Sequence, residues 1–306
     1  MNSIPTLGIC AFVIDPNSPD EVSIHPLDNP NEQIFIRRFA PYDNQYALIA
    51  KPHRHTFYQI MLFLNGEGNC TVDFVQFDVQ QGMVLFMVPG QVHNYYLNDK
   101  TNFYVVDFSE GYFQSFLHDA HYYERFPFFL GNLNESAVIL PVDLLKKVTV
   151  LFDNMIKEGR HNSNVSNDLV KVWMLEVLLL IAALRRDSQT KSLAPKSSSM
   201  ISKFKKLVDE NFVKLSLPKD YAALLFVTPS YLNQMTHRIL SKTAGEVIRD
   251  RKLLEAKRML VNLDLNISQI AYDLNYTDAS HFSKFFKKYT GRSPEDFRKK
   301  AFEDIE

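Results

Sequence analysis

The stretch IAYDLNYTDASHFSKFFKKYTGRSPEDFR, Ile270 to Arg298, decides how the chain is read. Ile270, Ala271 and Leu274 open it at helical spacing, a turn follows near Asn275, and Phe282, Phe285 and Phe286 then repeat as a second apolar stripe. The same design occurs upstream. Tyr221-Ala222 through Leu225, Thr228 and Leu232 returns as Ile270-Ala271 through Leu274, Thr277 and Phe282, at an offset of 49 before the turn and 50 after it. The second copy therefore carries one extra turn residue. Thr228 and Thr277 are expected to cap the orphan amides of the helices they precede. Pro229 suits a first helical position, and Asp278 suits the positive end of a helix. Each copy is a helix, a short turn and a second helix, a helix-turn-helix unit whose second helix can lie in a major groove.

Between the copies, Glu246 to Leu263 is rich in Arg, Lys, Leu and Ala, with Leu253, Ala256 and Leu260 along one face. About 18 helical residues span roughly 27 Å, enough to hold two recognition helices near one turn of B-DNA apart. The charge distribution agrees. The whole chain of 306 residues carries a formal charge of −1, but residues 196–306 hold 20 Lys+Arg against 14 Asp+Glu, and residues 1–195 hold 14 against 21. An acidic half followed by a basic half predicts two domains with different partners. Residues 200–306 form the basic one, and residues 187–199, DSQTKSLAPKSSS, read as a linker.

Residues 202–300 resemble the DNA-binding domain of AraC/XylS-type transcription regulators, through the second unit above and the linking helix LLEAKRML, Leu253 to Leu260. The chain departs from the family pattern at Asn275, where Gly is usual, and at Thr236, His237 and Ser241 in the first unit. The resemblance implies groove-facing residues Ser230, Tyr231, Asn233 and Gln234 in the first unit, and Ala279, Ser280, His281, Ser283 and Lys284 in the second. Their chemistry suits that role, since Asn and Gln pair with adenine, Lys with guanine, and Ala meets a thymine methyl. His237, Arg238, Lys287, Lys288 and Arg292 are placed for phosphates.

The acidic half, residues 1–186, reads differently. Gln33–Arg38, Phe57–Leu64, Cys70–Phe77 and Val84–Val88 are β-branched or aromatic runs separated by turn residues, the pattern of a sandwich or small barrel. Two helical segments follow, Leu140 to Glu158 and Ser166 to Arg186. The second has so wide an apolar face that part of it, Trp173, Leu178, Ile181 and Leu184, is expected to meet another copy of the chain in a homodimer. KPHRHTFYQI, Lys51 to Ile60, with the glycines at Gly66–Gly68 and PGQVH at Pro89–His93, resembles the cupin sensor domain often fused to this DNA-binding unit. In metal-binding cupins a His-x-His pair, a carboxylate and a later His converge. Here His53, His55 and His93 are present, but Gln59 stands near the carboxylate position. Three imidazoles and an amide make an insecure iron or zinc site, so neither metal nor cofactor is expected. A polar-lined pocket for a small-molecule effector is expected instead, drawing on His53, His55, Tyr58, Gln59, His93 and Tyr95, with Tyr96 nearby.

The expected fold is α+β with two domains, an N-terminal cupin-like β-barrel with helices and a C-terminal all-α tandem helix-turn-helix. The expected function is a sequence-specific transcription regulator binding double-stranded DNA under effector control, with RNA polymerase as a further contact. No catalytic triad, phosphate loop or carboxylate pair stands out, so no enzyme is expected. Two rival readings remain at this point: a cupin-type metalloenzyme with an accessory helical domain, and a DNA-binding factor without a ligand. Two cysteines, the lack of a basic leader and the charges at Lys171 and Glu176 inside the most apolar run point to a cytoplasmic location without membrane contact.

Overall fold

In a computed structural model the chain forms two compact units, one within Pro5–Thr190 and one within Lys191–Glu306. The structure describes residues 6–7, 21–24, 33–39, 52–117, 122–129, 131, 133–161, 163–188, 195–261 and 265–303.

The first unit is built on two sheets. One has the strand order β11 (Ala137–Ile139), β8 (Met83–Met87), β5 (Tyr58–Asn65), β10 (Asn102–Phe108), β3 (Ile34–Phe39) and β2 (Glu21–Ile24). The other has β1 (Thr6–Leu7), β4 (His53–His55), β9 (Val92–Leu97), β6 (Gly68–Val72) and β7 (Val75–Asp78). Side chains alternate across a strand, and the larger sheet uses both faces. Met61, Phe63, Leu85, Met87, Phe103 and Val105 meet Cys70, Val72 and Tyr95 of the smaller sheet, forming the inner core. Ile60, Leu62, Val84, Phe86, Tyr104 and Val106 point the other way, beneath the helices.

Those helices are α2 (Val142–Gly159) and α3 (Asn164–Ser188), preceded by the short α1 (Gln114–Leu117). Phe152, Met155, Met174, Val177, Leu178 and Ile181 complete the outer core. This corrects the expected dimer face. Leu178 and Ile181 are fully buried, and Trp173 and Leu184 pack against the same cluster, because the outer sheet face consumes that much of the stripe. Among the described residues, the large apolar side chains that α3 leaves exposed are Val165, Leu169, Val172 and Leu179, with Glu176 of the same seam paired to Lys147 of α2 at 2.8 Å. The Cys70–Phe77 run is also two strands rather than one. Asp73 and Phe74 both take left-handed backbone (φ 46° and 71°), the geometry of a two-residue hairpin turn. The Asp73 carboxylate accepts the Val92 amide at 3.1 Å, which anchors that turn to the neighbouring strand. Gly68 has φ 140° and lies so near the Tyr96 carbonyl that an added Cβ would sit 2.1 Å from it.

The second unit is helical: α4 (Pro195–Asn211), α5 (Pro218–Leu224), α6 (Pro229–Leu240), α7 (Ala244–Leu260), α8 (Ile267–Asp273), α9 (Ala279–Thr290) and α10 (Pro294–Glu303). Phe204, Tyr221, Leu232, Ile248, Ala256, Leu260, Ile270, Phe282 and Phe286 make one core. The expected linker is shorter than 187–199, because α3 runs on to Ser188 and α4 opens at Pro195; residues 189–194 lie outside the described residues. Proline at a first helical position with serines behind it starts a helix as readily as it marks a linker. The spacer helix begins at Ala244, ahead of the expected Glu246, because Thr243 and Glu246 form a reciprocal capping box. It ends at Leu260, and residues 262–264 lie outside the described residues. Two of its basic residues, Lys252 and Arg258, are buried, Lys252 with its ammonium 4.7 Å from the Tyr276 ring centre.

Candidate nucleic-acid interface and buried histidine cavity

The sequence repeat is a repeat of backbone geometry. In the first copy the Val227 amide donates to the Ala222 carbonyl at 2.9 Å, and in the second Tyr276 donates to Ala271 at 2.9 Å. Both turns pass through a left-handed residue, Phe226 at φ 55° and Asn275 at φ 61°. This is the glycine-type C-terminal cap, in neither case made by glycine. The following caps differ. Thr228 accepts the Tyr231 amide at 3.2 Å, as expected. In the second copy the cap is Asp278, accepting the His281 amide at 2.8 Å, and not Thr277. The extra turn residue moves the capping position one step on. Thr277 instead uses its hydroxyl on His281 Nδ1 at 3.0 Å.

On α6, Ser230, Tyr231, Gln234, His237 and Arg238 are exposed around the buried Leu232, Met235 and Thr236. Asn233 is the exception. Its side-chain oxygen accepts the Ala244 amide at 2.9 Å, holding the start of α7. That bond engages one of the oxygen's two lone pairs and makes Asn233 a positioning residue for α7. On α9, Ser280, His281, Lys284, Lys287 and Lys288 are exposed, and Ala279 and Ser283 half-buried. Arg292 is exposed just beyond the Gly291 cap, where φ is 78°. Phe282 and Phe286 are fully buried behind this face. Arg298 of α10 donates to the Leu260 carbonyl at 2.9 Å and to the Leu265 carbonyl at 2.6 Å, tying the end of α7 to the approach to α8.

In the first unit, His53 and His55 share one face of β4, and the register pairs His53 with His93 on β9. Two residues apart on one strand plus a cross-strand partner bring three imidazoles together. The His93 ring centre lies 4.3 Å from both others, and ligating nitrogens of all three fall within 4.8 Å of one another. All three are buried. Burial, with His53 alongside, drives His55 down to about 2. Burial and then its two imidazole neighbours hold His93 well below the usual histidine range, against the opposing bond to the Gln91 carbonyl. Beside His53 lies a small cavity of about 20 Å³, lined by Phe35, Phe39, His53, Gln59, Met61, Tyr95, Val105 and Asp107.

The cavity's polar wall is a chain of bonds. Tyr95 donates its hydroxyl to Gln59 Oε1 at 2.7 Å, and Gln59 Nε2 donates to Asp107 Oδ1 at 2.8 Å. Burial pushes the Asp107 carboxyl well above the usual carboxylate range, with the Gln59 bond opposing, and raises the Tyr95 phenol as well. Asp107 was not singled out from the sequence. The one available signal was its place opposite Gln59 on a neighbouring strand, a register that only the fold supplies. Tyr58 lies elsewhere, on the outer sheet face against Phe108, Tyr123 and Phe129, and Tyr96 is exposed. Of the six expected pocket residues, His53, Gln59 and Tyr95 line this cavity, His55 and His93 pack against His53, and Tyr58 is core.

Two capped helix-turn-helix units on one helical body, following a sheet-rich domain with a small interior cavity that has one polar wall, define a ligand-binding DNA-binding regulator. Two family models match the chain, an AraC-like ligand binding domain over residues 36–164 and a helix-turn-helix domain over residues 221–300. The chain belongs to the AraC/XylS-type transcription regulators. It is 23% identical over 249 residues to the Msm operon regulatory protein of Streptococcus mutans, covering 79% of this chain and 84% of that one. It is 24% identical over 253 residues to the arabinose operon regulatory protein of Escherichia coli, covering 79% and 80%. Among solved structures it is similar to ToxT from Vibrio cholerae O395, at 14% identity and a TM-score of 0.42, covering 88% of this chain and 98% of that one. Sequence-specific DNA binding in transcription regulation is the function of the chain.

Proposed function

We propose that residues 200–306 read a bipartite operator through α6 and α9, each entering a major groove on one face of the duplex. The observation that carries this is the duplicated, capped helix-turn-helix with its exposed polar faces. Ser230, Tyr231 and Gln234 serve one half-site; Ala279, Ser280, His281, Ser283 and Lys284 serve the other. His237, Arg238, Lys287, Lys288 and Arg292 take phosphates. Each phosphate contact contributes about −0.9 to the slope of log affinity on log salt. Selection of bound duplexes from random DNA tests the reading. Two conserved blocks about one helical turn apart are expected, and no preferred sequence would refute it.

We further propose that residues 1–186 sense a small effector in the cavity beside His53, Gln59 and Tyr95, and that the chain acts in the cytoplasm as a homodimer and not as an enzyme, with RNA polymerase a further contact. Among the described residues no helix is long and apolar enough to cross a membrane. Support for the dimer comes from Val165, Leu169, Val172 and Leu179, an exposed apolar seam at the near-3.5-residue spacing of paired helices. Sedimentation of the full chain with and without Leu169→Glu checks this, a monomer in the wild type being the contrary result.

A further inference from the structure

The three buried imidazoles need an explanation that DNA binding and an effector cavity do not give. In His93 the Nδ1 atom lies 3.1 Å from the Gln91 carbonyl, an arrangement that fixes the proton on Nδ1 and leaves a lone pair on Nε2. That Nε2 is buried and has no hydrogen-bond donor among the described residues. Gln91 is itself held, its side chain accepting the Val88 amide at 2.8 Å, so the ring is oriented by an outer layer of bonds. Such an outer layer is how proteins orient metal-ligating histidines.

The sequence argued against a metal because Gln59 stands where a carboxylate would. The fold places a carboxyl group near His53. Asp107 is the register partner of Gln59 and is bonded to it, and its Oδ2, fully buried, has no hydrogen-bond partner among the described residues. A carboxyl group therefore lines the same cavity as His53.

We propose that His53, His55 and His93 form a site for one divalent late first-row transition-metal ion, of the kind that imidazole favours such as Zn²⁺, Co²⁺ or Ni²⁺. Of the three, His53 also lines the cavity that Gln59, Tyr95 and Asp107 border. The inference is independent of how the effector is recognised, because the ion is measured without DNA or effector.

The test is titration of chelator-stripped, full-length protein with Co²⁺, followed by visible ligand-field absorbance and by elemental analysis. One saturable ion per chain is expected, displaced by Zn²⁺ and removed by chelator. His93→Ala should weaken Co²⁺ by about 100-fold or more, since even losing an outer-layer partner costs 10–100-fold. His161→Ala, an exposed histidine after α2, should leave it unchanged. If His93→Ala fails to fold by circular dichroism, His55→Gln replaces it, and saturating Zn²⁺ must still raise the melting temperature of the wild type. No saturable binding, no Zn²⁺-dependent rise in melting temperature, or unchanged affinity in a folded His93→Ala or His55→Gln protein each overturns the proposal. A failure here leaves the DNA-binding assignment intact, while a protein that loads one ion but selects no DNA sequence fails on the other ground.

Discussion

Phe226 sits in left-handed backbone at φ 55° with its ring 96% exposed. An aromatic side chain there bears the steric cost of that conformation, about 1–2 kcal/mol, and recovers nothing by burial. The second unit solves the same turn with Asn275, a residue that tolerates the geometry. Phe226→Asn should therefore stabilise the helical unit by roughly 1 kcal/mol. Phe226→Gly should gain less, roughly 0.5–1 kcal/mol, because glycine gives part of the strain relief back as unfolded-chain entropy. The reciprocal change, Asn275→Phe, should cost about as much as Phe226→Asn gains. Residues 195–306, whose core is self-contained, suit urea unfolding followed by helical ellipticity, and the thermal equivalent is roughly 4–8 °C per kcal/mol for a unit of this size. A Phe226→Asn protein no more stable than wild type, or a harmless Asn275→Phe, would refute the reasoning. A variant that gains stability and loses operator affinity would show that the exposed ring is retained for contact with DNA.

Other expectations follow from particular bonds. Arg298→Met removes both donors to the Leu260 and Leu265 carbonyls and should destabilise the helical unit by about 2–3 kcal/mol, measured by the same unfolding. Asn233→Ala should cost about 1 kcal/mol of stability and weaken all duplexes alike, whereas Gln234→Ala should leave stability unchanged and relax one half-site by about 1–3 kcal/mol; comparing selected sequences separates them. Asp107→Asn, measured with chelator present, tests the buried carboxyl. Because the folded-state pKa of Asp107 is raised, its folding penalty grows as pH rises from the ordinary carboxylate range toward that raised value, at up to about 1.4 kcal/mol per pH unit. The Asn variant should be the more stable at pH 7, with the advantage shrinking toward pH 4; an advantage independent of pH would mean the carboxyl does not titrate between folded and unfolded states.

The helical half was the more legible because its information is local. Capping residues, turn residues and apolar spacing sit within a few positions of one another, so Pro229, Thr228 and the Phe282–Phe286 stripe could be placed directly. The miss at Thr277 came from one inserted residue, which moved the cap to Asp278 without changing the composition of the turn. The structural bond of Asn233 is not legible in the sequence because its partner, the Ala244 amide, belongs to another helix. In the sheet-rich half the decisive relations are between strands. His53 and His55 were visible as an alternating pair, but the partnership of Gln59 with Asp107, 48 positions apart, exists only in the register of β5 and β10. Tyr58 and the α3 stripe failed for a related reason. Periodicity says that a residue faces something, and only the layer order says whether that is an interior, a helix or a second chain.

The residue inserted in the second turn has a consequence for anyone exchanging recognition helices between the two units. A helix advances about 100° per residue. A graft aligned on the two threonines, Thr228 and Thr277, would present each transplanted side chain rotated by that angle, moving Phe282 out to the position of Asn233 and bringing His281 to the core position of Leu232. Aligned instead on the residues that close the helix amides, Thr228 and Asp278, the graft keeps its register. A chimaera that reads the other half-site's sequence is then a matter of choosing the right zero.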